Sequence, residues 1–200
     1  PCGTGGDFRR TLGLSRGVEA MVTRMLWARP RRVDVGWLTF VDDDGRPARR
    51  AFLNIASFGL GGRVDRVVNA SPKWMGGTPA FLLGTARAML GFRNPRVRLI
   101  LDDAAPVERA ILNVAVANGR YFGGGMMIAP RAELDDGLFD VVSLELSPGQ
   151  ALRRAPRVYR GAHLATEGVR FSRARRIYAE ALSPGARVLL DVDGEAPGAL

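Results

Sequence analysis

Apolar residues recur at helical spacing in four stretches of the chain and form strand-like runs in most of the others. The helical spacing predicts helices over residues 8–28, 61–70, 78–90 and 148–158. Alternating or Val-, Ile- and Leu-rich runs predict strands over residues 33–41, 51–58, 97–101, 109–117, 138–146, 175–180 and 187–192. This order of elements predicts an α+β fold with a mostly antiparallel, β-sandwich-like sheet and inserted helices.

The net charge and the rare residue types limit which partners and which kinds of site the chain can have. The net charge is +9, and all but one of the basic residues are arginine, because Lys73 is the only lysine. Such a surface favours anionic partners such as nucleotides, nucleic acid or lipid headgroups. Cys2 is the only cysteine and His163 the only histidine, which excludes an internal disulfide and a metal site of several such residues. A lone histidine is typically structural, so we expect any general base to be a carboxylate.

Two glycine-rich segments are candidates for close contact with a ligand. Gly3, Thr4, Gly5 and Asp7 precede the first predicted helix, where backbone N–H groups can bind a phosphate; the alternative is a flexible turn capped by the aspartate. Residues 118–130 contain three consecutive glycines, which indicate either a backbone passing close to a ligand or another strand, or a bulged edge strand.

Four further segments carry charge. Residues 133–140 and 191–195 are rich in carboxylates around a glycine, which suits Mg²⁺ or a general base, or else a plain Asp-Gly turn like that at residues 42–45. Strand alternation predicts that Asp191, Asp193 and Glu195 lie on one side. The arginines of residues 153–160 and 173–176 indicate a solvated basic face or contact with an anionic membrane.

Taken in order, these segments resemble the diacylglycerol kinase and sphingosine kinase superfamily, in its bacterial lipid-kinase branch. The motifs shared with that family are Pro-x-Gly-Thr-x-Asn-Asp-Phe at residues 1–8, Asn-x-x-Ser-x-Gly at 54–59, Asn-Gly-x-x-x-Gly-Gly-Gly at 118–125, Pro-x-Ala at 130–132, Asp-Gly-x-x-Asp at 136–140 and Asp-Gly-Glu at 193–195. Gly6 stands where the family has asparagine, and the family's upstream Gly-Gly-Asp-Gly-Thr segment is not among these residues. We therefore expect a C-terminal part of a lipid kinase that is inactive by itself.

The resemblance implies ATP-dependent phosphorylation of a lipid hydroxyl, that of diacylglycerol or a similar lipid alcohol, with Mg²⁺. It implies that residues 1–30 are a remnant of a nucleotide-binding domain and that residues 31–200 form the C-terminal β-rich domain found in NAD-kinase and diacylglycerol-kinase-like folds. The implied setting is cytoplasmic, at the inner face of the membrane, with a homodimer left open.

The resemblance also assigns site residues. Asp193 and Glu195 would be the catalytic carboxylates, one of them accepting the hydroxyl proton. The nucleotide would be bound by Gly3, Thr4, Gly5 and Asp7. A structural Mg²⁺ would be held by the side chain of Asp136 and the backbone carbonyls of Glu133 and Leu138.

Two alternatives stay open at this point. One is an NAD-kinase-like enzyme that acts on a soluble hydroxyl. An apolar pocket around residues 79–92 would favour a lipid kinase over that enzyme. The other is a non-enzymatic basic module that binds a membrane or nucleic acid. Few aromatic residues lie among the arginines, so we expect no nucleic-acid partner.

Overall fold

The computed structural model describes residues 6–15, 17–69, 77–183 and 187–200. The helices are α1 Asp7–Thr11, α2 Val18–Trp27, α3 Leu60–Asn69, α4 Gly77–Met89 and α5 Pro148–Tyr159. The strands are β1 Gly36–Asp42, β2 Pro47–Phe52, β3 Ile55–Gly59, β4 Arg96–Leu101, β5 Val107–Ala110, β6 Asn113–Ala117, β7 Phe139–Leu144, β8 Val169–Ala174, β9 Ile177–Ala181, β10 Leu190–Val192 and β11 Gly198–Ala199.

The described strands form three sheets, and every pairing between them is antiparallel. The largest has the order β10-β3-β6-β7-β8, and two smaller sheets have the orders β11-β1-β2 and β5-β4-β9. The predicted α+β fold with a mostly antiparallel, sandwich-like sheet is confirmed. The Asp-Gly turn between β1 and β2 is also confirmed, because the Asp42 carboxylate accepts hydrogen bonds from the backbone N–H groups of Asp44 and Arg46.

The five-stranded sheet is covered on both faces, since successive side chains of a strand point to opposite sides. On one face, Phe58 and Val114 belong to a core shared with the smaller sheets. On the other, Ala115 and Val142 pack in a core that α5 joins through Ala151. Helices α3 and α4 pack beside α5 on the same side, so this helical layer lies over the strands that lead to the candidate site.

The predicted helix over residues 8–28 is wrong, because the structure has two helices there. Gly13 has φ 64°, a left-handed conformation that glycine adopts at little cost, and it follows the end of α1. Helix α2 begins only after Gly17 and buries none of its side chains. The apolar spacing continues from α1 into α2, although the two helices are separate and glycines lie between them.

Two predicted strands are each divided between two sheets, so those predictions are wrong in their extent. The run over residues 51–58 is β2 and β3, and the run over residues 109–117 is β5 and β6. At the second crossing Ile111 and Leu112 are buried, so the apolar run continues from one sheet into the next, whereas at the first crossing Leu53 is apolar but 41% exposed, and its type alone does not mark the break. Strand β8 was missed, since its arginines and its position at the sheet edge weaken the apolar pattern.

The described helices include none that is both long enough and apolar enough to cross a lipid bilayer.

Candidate active site

The Asp-Gly-Glu segment is a tight turn at the end of β10. Asp193 has φ 53° and Gly194 has φ 90°, and the N–H and C=O groups of Val192 and Glu195 bond to each other at 2.8 and 3.1 Å. Positive φ at both central residues is the hairpin conformation that Asp-Gly favours. The prediction that Asp191, Asp193 and Glu195 lie on one side of a strand is therefore wrong, because the chain reverses direction at Asp193.

The Asp193 carboxylate is fully engaged by backbone donors. Its Oδ1 accepts hydrogen bonds from the N–H groups of Asn54 and Ile55 at 3.1 and 3.0 Å, and its Oδ2 accepts one from Leu53 at 2.9 Å. These three donors form the crossing between β2 and β3. One carboxylate thus stabilises the point where the chain passes from one sheet to another.

Glu195 lies in a different environment from Asp193. Its side chain is 65% exposed, and Oε2 lies 2.5 Å from the Nη2 atom of Arg50 on β2. No backbone donor from the described residues binds it. Both carboxylates are exposed, but the oxygens of Asp193 already accept three backbone hydrogen bonds, whereas Glu195 has only Arg50 as a partner among the described residues.

Asn54 joins this turn to the first part of the glycine-rich segment. Its carbonyl oxygen accepts hydrogen bonds from the N–H groups of Asn118 and Gly119 at 2.9 and 2.8 Å, and its Nδ2 donates to the carbonyl of Tyr121 at 2.9 Å. A Cβ at residue 119 would lie 2.1 Å from Asn54 Oδ1, so only glycine fits there. At Gly119 this segment therefore passes close to another part of the chain, at Asn54.

The triple glycine itself forms a turn that contacts α1. Phe122 and Met126 bond to each other at 3.0 Å in both directions, and the three glycines between them all have positive φ. The N–H of Gly124 donates to Asp7 Oδ2 at 2.9 Å. A neighbouring bond of 3.0 Å runs from the N–H of Arg120 to the hydroxyl of Thr11.

The predicted nucleotide-binding residues divide between described and undescribed parts of the chain. Asp7 is buried and also forms an ion pair with Arg10. Gly3, Thr4 and Gly5 lie outside the described residues. The structure therefore places the start of α1 against the glycine turn, and the role of these residues stays a prediction.

A buried pair of carboxyl groups lies behind the Asp-Gly-Glu turn. Asp191 is 7% exposed; it accepts hydrogen bonds from the N–H of Gly194 at 2.9 Å and from the hydroxyl of Ser57 at 3.3 Å. Burial, together with Asp65 of α3, raises the pKa of Asp191 well above its usual value. Burial also raises the pKa of Asp65. Asp191 fixes the turn through its hydrogen bond from Gly194.

The acidic turn at residues 133–140 is neutralised by an arginine. Arg173 pairs with the Asp136 carboxylate, and its Nε lies 3.2 Å from Asp140 Oδ1. Asp136 Oδ1 also accepts the N–H of Leu138 at 3.0 Å, whereas the Glu133 side chain is exposed. Asp140 is 1% exposed, and burial raises its pKa.

The oxygen atoms of this turn show whether it could bind a hard cation such as Mg²⁺. Asp140 Oδ2 is buried and has no hydrogen-bond partner among the described groups, and carboxylate and carbonyl oxygens are the ligands that Mg²⁺ prefers. The described residues contain no cluster of three or more acidic, histidine or cysteine side chains that could hold a metal. The donor types fit, provided that Arg173 moves away from Asp136.

Asp34, which the sequence analysis missed, links the acidic turn to the glycine-rich segment. Its carboxylate accepts the N–H of Gly137 at 2.7 Å, and its carbonyl accepts a hydrogen bond from Asn118 Nδ2 at 2.9 Å. Nothing in the local pattern marks Asp34, or Asp65, as different from any other surface carboxylate. His163 takes no part here: it is buried, with Nε2 2.9 Å from the carbonyl oxygen of Ile128, and burial lowers its pKa.

Comparison with known proteins agrees with this arrangement. Residues 54–200 match the family described as the YegS C-terminal NAD kinase beta sandwich-like domain. A diacylglycerol kinase of Mycobacterium tuberculosis is 28% identical over 98% of this chain and 62% of its own length. A probable lipid kinase YegS-like protein of Stenotrophomonas maltophilia is 30% identical over 98% of this chain and 61% of its own length.

A solved structure of a Bacillus anthracis diacylglycerol kinase has the same fold. It superposes with a TM-score of 0.63 at 20% identity, covering 98% of this chain and 58% of that one. The chain thus spans about three fifths of the length of the relatives it matches.

Proposed function

The chain belongs to the YegS lipid kinase family, through its NAD kinase beta sandwich-like domain, and we propose that it takes part in transferring the terminal phosphoryl group of ATP to a lipid hydroxyl. The relatives include proteins named diacylglycerol kinase, which supports a diacylglycerol or a similar lipid alcohol as acceptor.

One observation carries the proposal: the Asp-Gly-Glu turn is bound, through Asn54, to the glycine-rich segment that contacts α1. The N–H of Asn54 donates to Asp193, the N–H of Gly119 donates to the carbonyl of Asn54, and the N–H of Gly124 donates to Asp7. Phosphoryl transfer depends on positioning and on charge stabilisation more than on covalent chemistry of the protein. A continuous set of hydrogen bonds between a carboxylate turn and a glycine-rich backbone supplies such positioning.

In this proposal Glu195 is the general base and Asp193 is a positioning residue. The acceptor oxygen attacks the terminal phosphorus of ATP, the bond from that phosphorus to the bridging oxygen breaks, and ADP leaves. The hydroxyl proton passes to the Glu195 carboxylate. A proton on Asp193 would compete with the backbone N–H groups of residues 53–55 for its oxygens.

Mg²⁺ would neutralise phosphate charge in such a reaction, and the acidic turn supplies a second, structural location for a cation. There the Asp136 carboxylate and the carbonyl groups of Glu133 and Leu138 would be ligands. The ion pair between Arg173 and Asp136 means that the cation and the guanidinium compete for the same oxygens.

The test is a phosphotransfer assay on the product of the natural gene, with labelled ATP, Mg²⁺ and lipid alcohols in mixed micelles, beside NAD and other soluble alcohols. Glu195→Gln is expected to lower turnover by at least about a hundredfold, the contribution of a positioned base, with an unchanged melting temperature. Glu108→Gln is the matched control, because Glu108 is another exposed glutamate paired with an arginine. Full turnover by Glu195→Gln would exclude it as the base, and phosphorylation of soluble alcohols alone would exclude a lipid acceptor.

A further inference from the structure

Helix α5 presents one outward face that combines apolar and cationic side chains. We call it the α5 face, and it consists of Leu152, Arg153, Pro156, Arg157, Tyr159 and Arg160. All six are exposed, and Leu152 and Tyr159 are 66% and 45% exposed although both are large and apolar. A helix with this composition on one side typically lies on a membrane surface.

The orientation of the α5 face is fixed by the opposite side of the helix. Ala151 and Val158, which lie on that opposite side at helical spacing, pack into the core over the five-stranded sheet. Ser147 caps the helix: its hydroxyl accepts the N–H of Gln150, and its own N–H donates to Gln150 Oε1 at 2.9 Å. The face is therefore presented by a rigid, well-capped element.

The positive charge of the α5 face is not neutralised within the part of the chain that the structure describes. No acidic residue occurs between positions 146 and 166, and Arg153, Arg157 and Arg160 form no ion pair with a described carboxylate. Some exposed arginines elsewhere have such partners, as Arg66 has in Asp43 and Arg96 in Glu108, whereas Arg29 and Arg32 have none among the described carboxylates. What distinguishes the α5 face is that three such arginines share one side of a helix with exposed Leu152 and Tyr159, so that both charge and apolar surface are available to another molecule.

We propose that the α5 face docks onto an anionic lipid surface. Three arginines would lie at the level of the headgroups, where each cation contributes about fivefold in affinity, and Leu152 and Tyr159 would enter the boundary with the acyl chains. A nucleic acid would be attracted by the same charge, but it offers no apolar layer for Leu152. The combination of both kinds of side chain favours lipid.

The position of α5 connects this surface to the candidate site. At the end of the helix, the carbonyl of Val158 accepts the N–H of Met127 at 3.2 Å, and Gly161 packs against the side chain of Met127. Met127 directly follows the glycine turn. Docking of the α5 face would therefore hold the glycine-rich segment near the bilayer. This inference deepens the proposed function, and it rests on that function only for the identity of the acceptor.

Helix α2 is the other exposed apolar element. Met25 and Trp27 are each 82% exposed, but Glu19 lies in its first turn and nothing in the structure shows what covers it. We therefore assign docking to α5 and use the neighbourhood of α2 as the comparison in the test.

The test measures sedimentation of the natural gene product with vesicles of equal parts phosphatidylglycerol and phosphatidylcholine. A triple variant with Arg153, Arg157 and Arg160 changed to Gln is expected to bind about a hundredfold more weakly. Leu152→Ser is expected to weaken binding without changing its dependence on salt. In the matched control, the same charge is removed at three exposed arginines outside α5, namely Arg29, Arg32 and Arg46, and binding is retained.

Several outcomes would overturn the proposal: equal loss in the control variant, unchanged binding in the α5 variant, or arginine-dependent binding that a DNA oligonucleotide shares at equal affinity. Equal melting temperatures of the parent and the variants confirm that the fold is intact. The assay reads binding alone, so it is independent of catalysis. If Glu195→Gln keeps full turnover while the α5 variant loses vesicle binding, the catalytic proposal fails and this one stands.

Discussion

Replacement of Asp193 should affect the stability of the fold, whereas replacement of Glu195 should affect only chemistry. Asp193→Ala removes the acceptor of three backbone N–H groups at the crossing between β2 and β3. Glu195→Ala removes one ion pair at an exposed position. The two carboxylates are only two residues apart, so the comparison varies the environment while the chemical group stays the same.

The expected magnitudes follow from the burial of the donors. The N–H of Leu53, which is 41% exposed, can turn to water, but Asn54 and Ile55 are 9% and 1% exposed. Leaving those two N–H groups without an acceptor costs about 1–3 kcal/mol each. Alanine at φ 53° adds about 1 kcal/mol, because aspartate tolerates the left-handed region better than alanine does. We expect Asp193→Ala to lower the free energy of unfolding by about 4 kcal/mol.

Two further variants calibrate this value. Asp193→Asn keeps an amide oxygen in the place of Oδ1, and asparagine tolerates the left-handed region, so we expect a loss of about 1 kcal/mol. Glu195→Ala breaks an ion pair on the surface, and such a pair is worth about 0–1 kcal/mol.

Urea denaturation followed by circular dichroism measures these differences, and thermal melting checks them. For a chain of 200 residues, about 4 kcal/mol corresponds to a fall in melting temperature of about 8–16 °C. If the free energies of unfolding of Asp193→Ala and Glu195→Ala agree within about 1 kcal/mol, then Asp193 does not stabilise the crossing between β2 and β3. Loss of turnover in Asp193→Asn at full stability would instead show that Asp193 acts in the chemistry.

Two further predictions concern buried carboxyl groups. Because burial and Asp65 raise the pKa of Asp191 above its usual 3.8, the stability that Asp191 contributes is complete below that pH and is lost as the pH rises through its folded pKa. Asp191→Asn should therefore flatten the decline of the free energy of unfolding as the pH rises above 3.8, and parallel curves for parent and variant would contradict this. Arg173→Gln frees the oxygens of Asp136 and Asp140, so MgCl₂ should raise the melting temperature of the variant more than that of the parent. Equal responses to MgCl₂ and to NaCl of the same ionic strength would show that no divalent cation binds there.

The features that the sequence predicted correctly depend on residues close together in the chain. The hairpin at residues 42–45 is determined by an aspartate that caps its own turn, and α5 begins at a serine and a glutamine three residues apart. The order of short motifs also led to the family, which the matching domain confirms. Local chemistry was sufficient in each case.

The features that the sequence did not predict depend on partners far apart in the chain. The run over residues 51–58 looks like one strand, and it is divided because Asp193, which lies 140 positions from Leu53, binds the N–H groups in its middle. Asp65 and Asp191 join a helix to a distant strand, and although Asp191 lies in a carboxylate-rich segment, no neighbour in sequence marks Asp65 as its partner. Periodicity cannot detect such contacts, because it records only which side of an element is apolar.

The five residues from Asp191 to Glu195 carry three carboxyl groups, and the reversal of the chain at Asp193 gives each a different environment. Asp191 is buried within the sheet near Asp65, and burial raises its pKa. Asp193 keeps both oxygens on backbone donors, so an acceptor hydroxyl would compete with those donors for them. Glu195 has only an arginine as its partner among the described residues, so it can contact an acceptor hydroxyl while the other two hold the turn in place. A general base that acts in every turnover must not also hold the fold together. For this reason we assign the role of general base to Glu195.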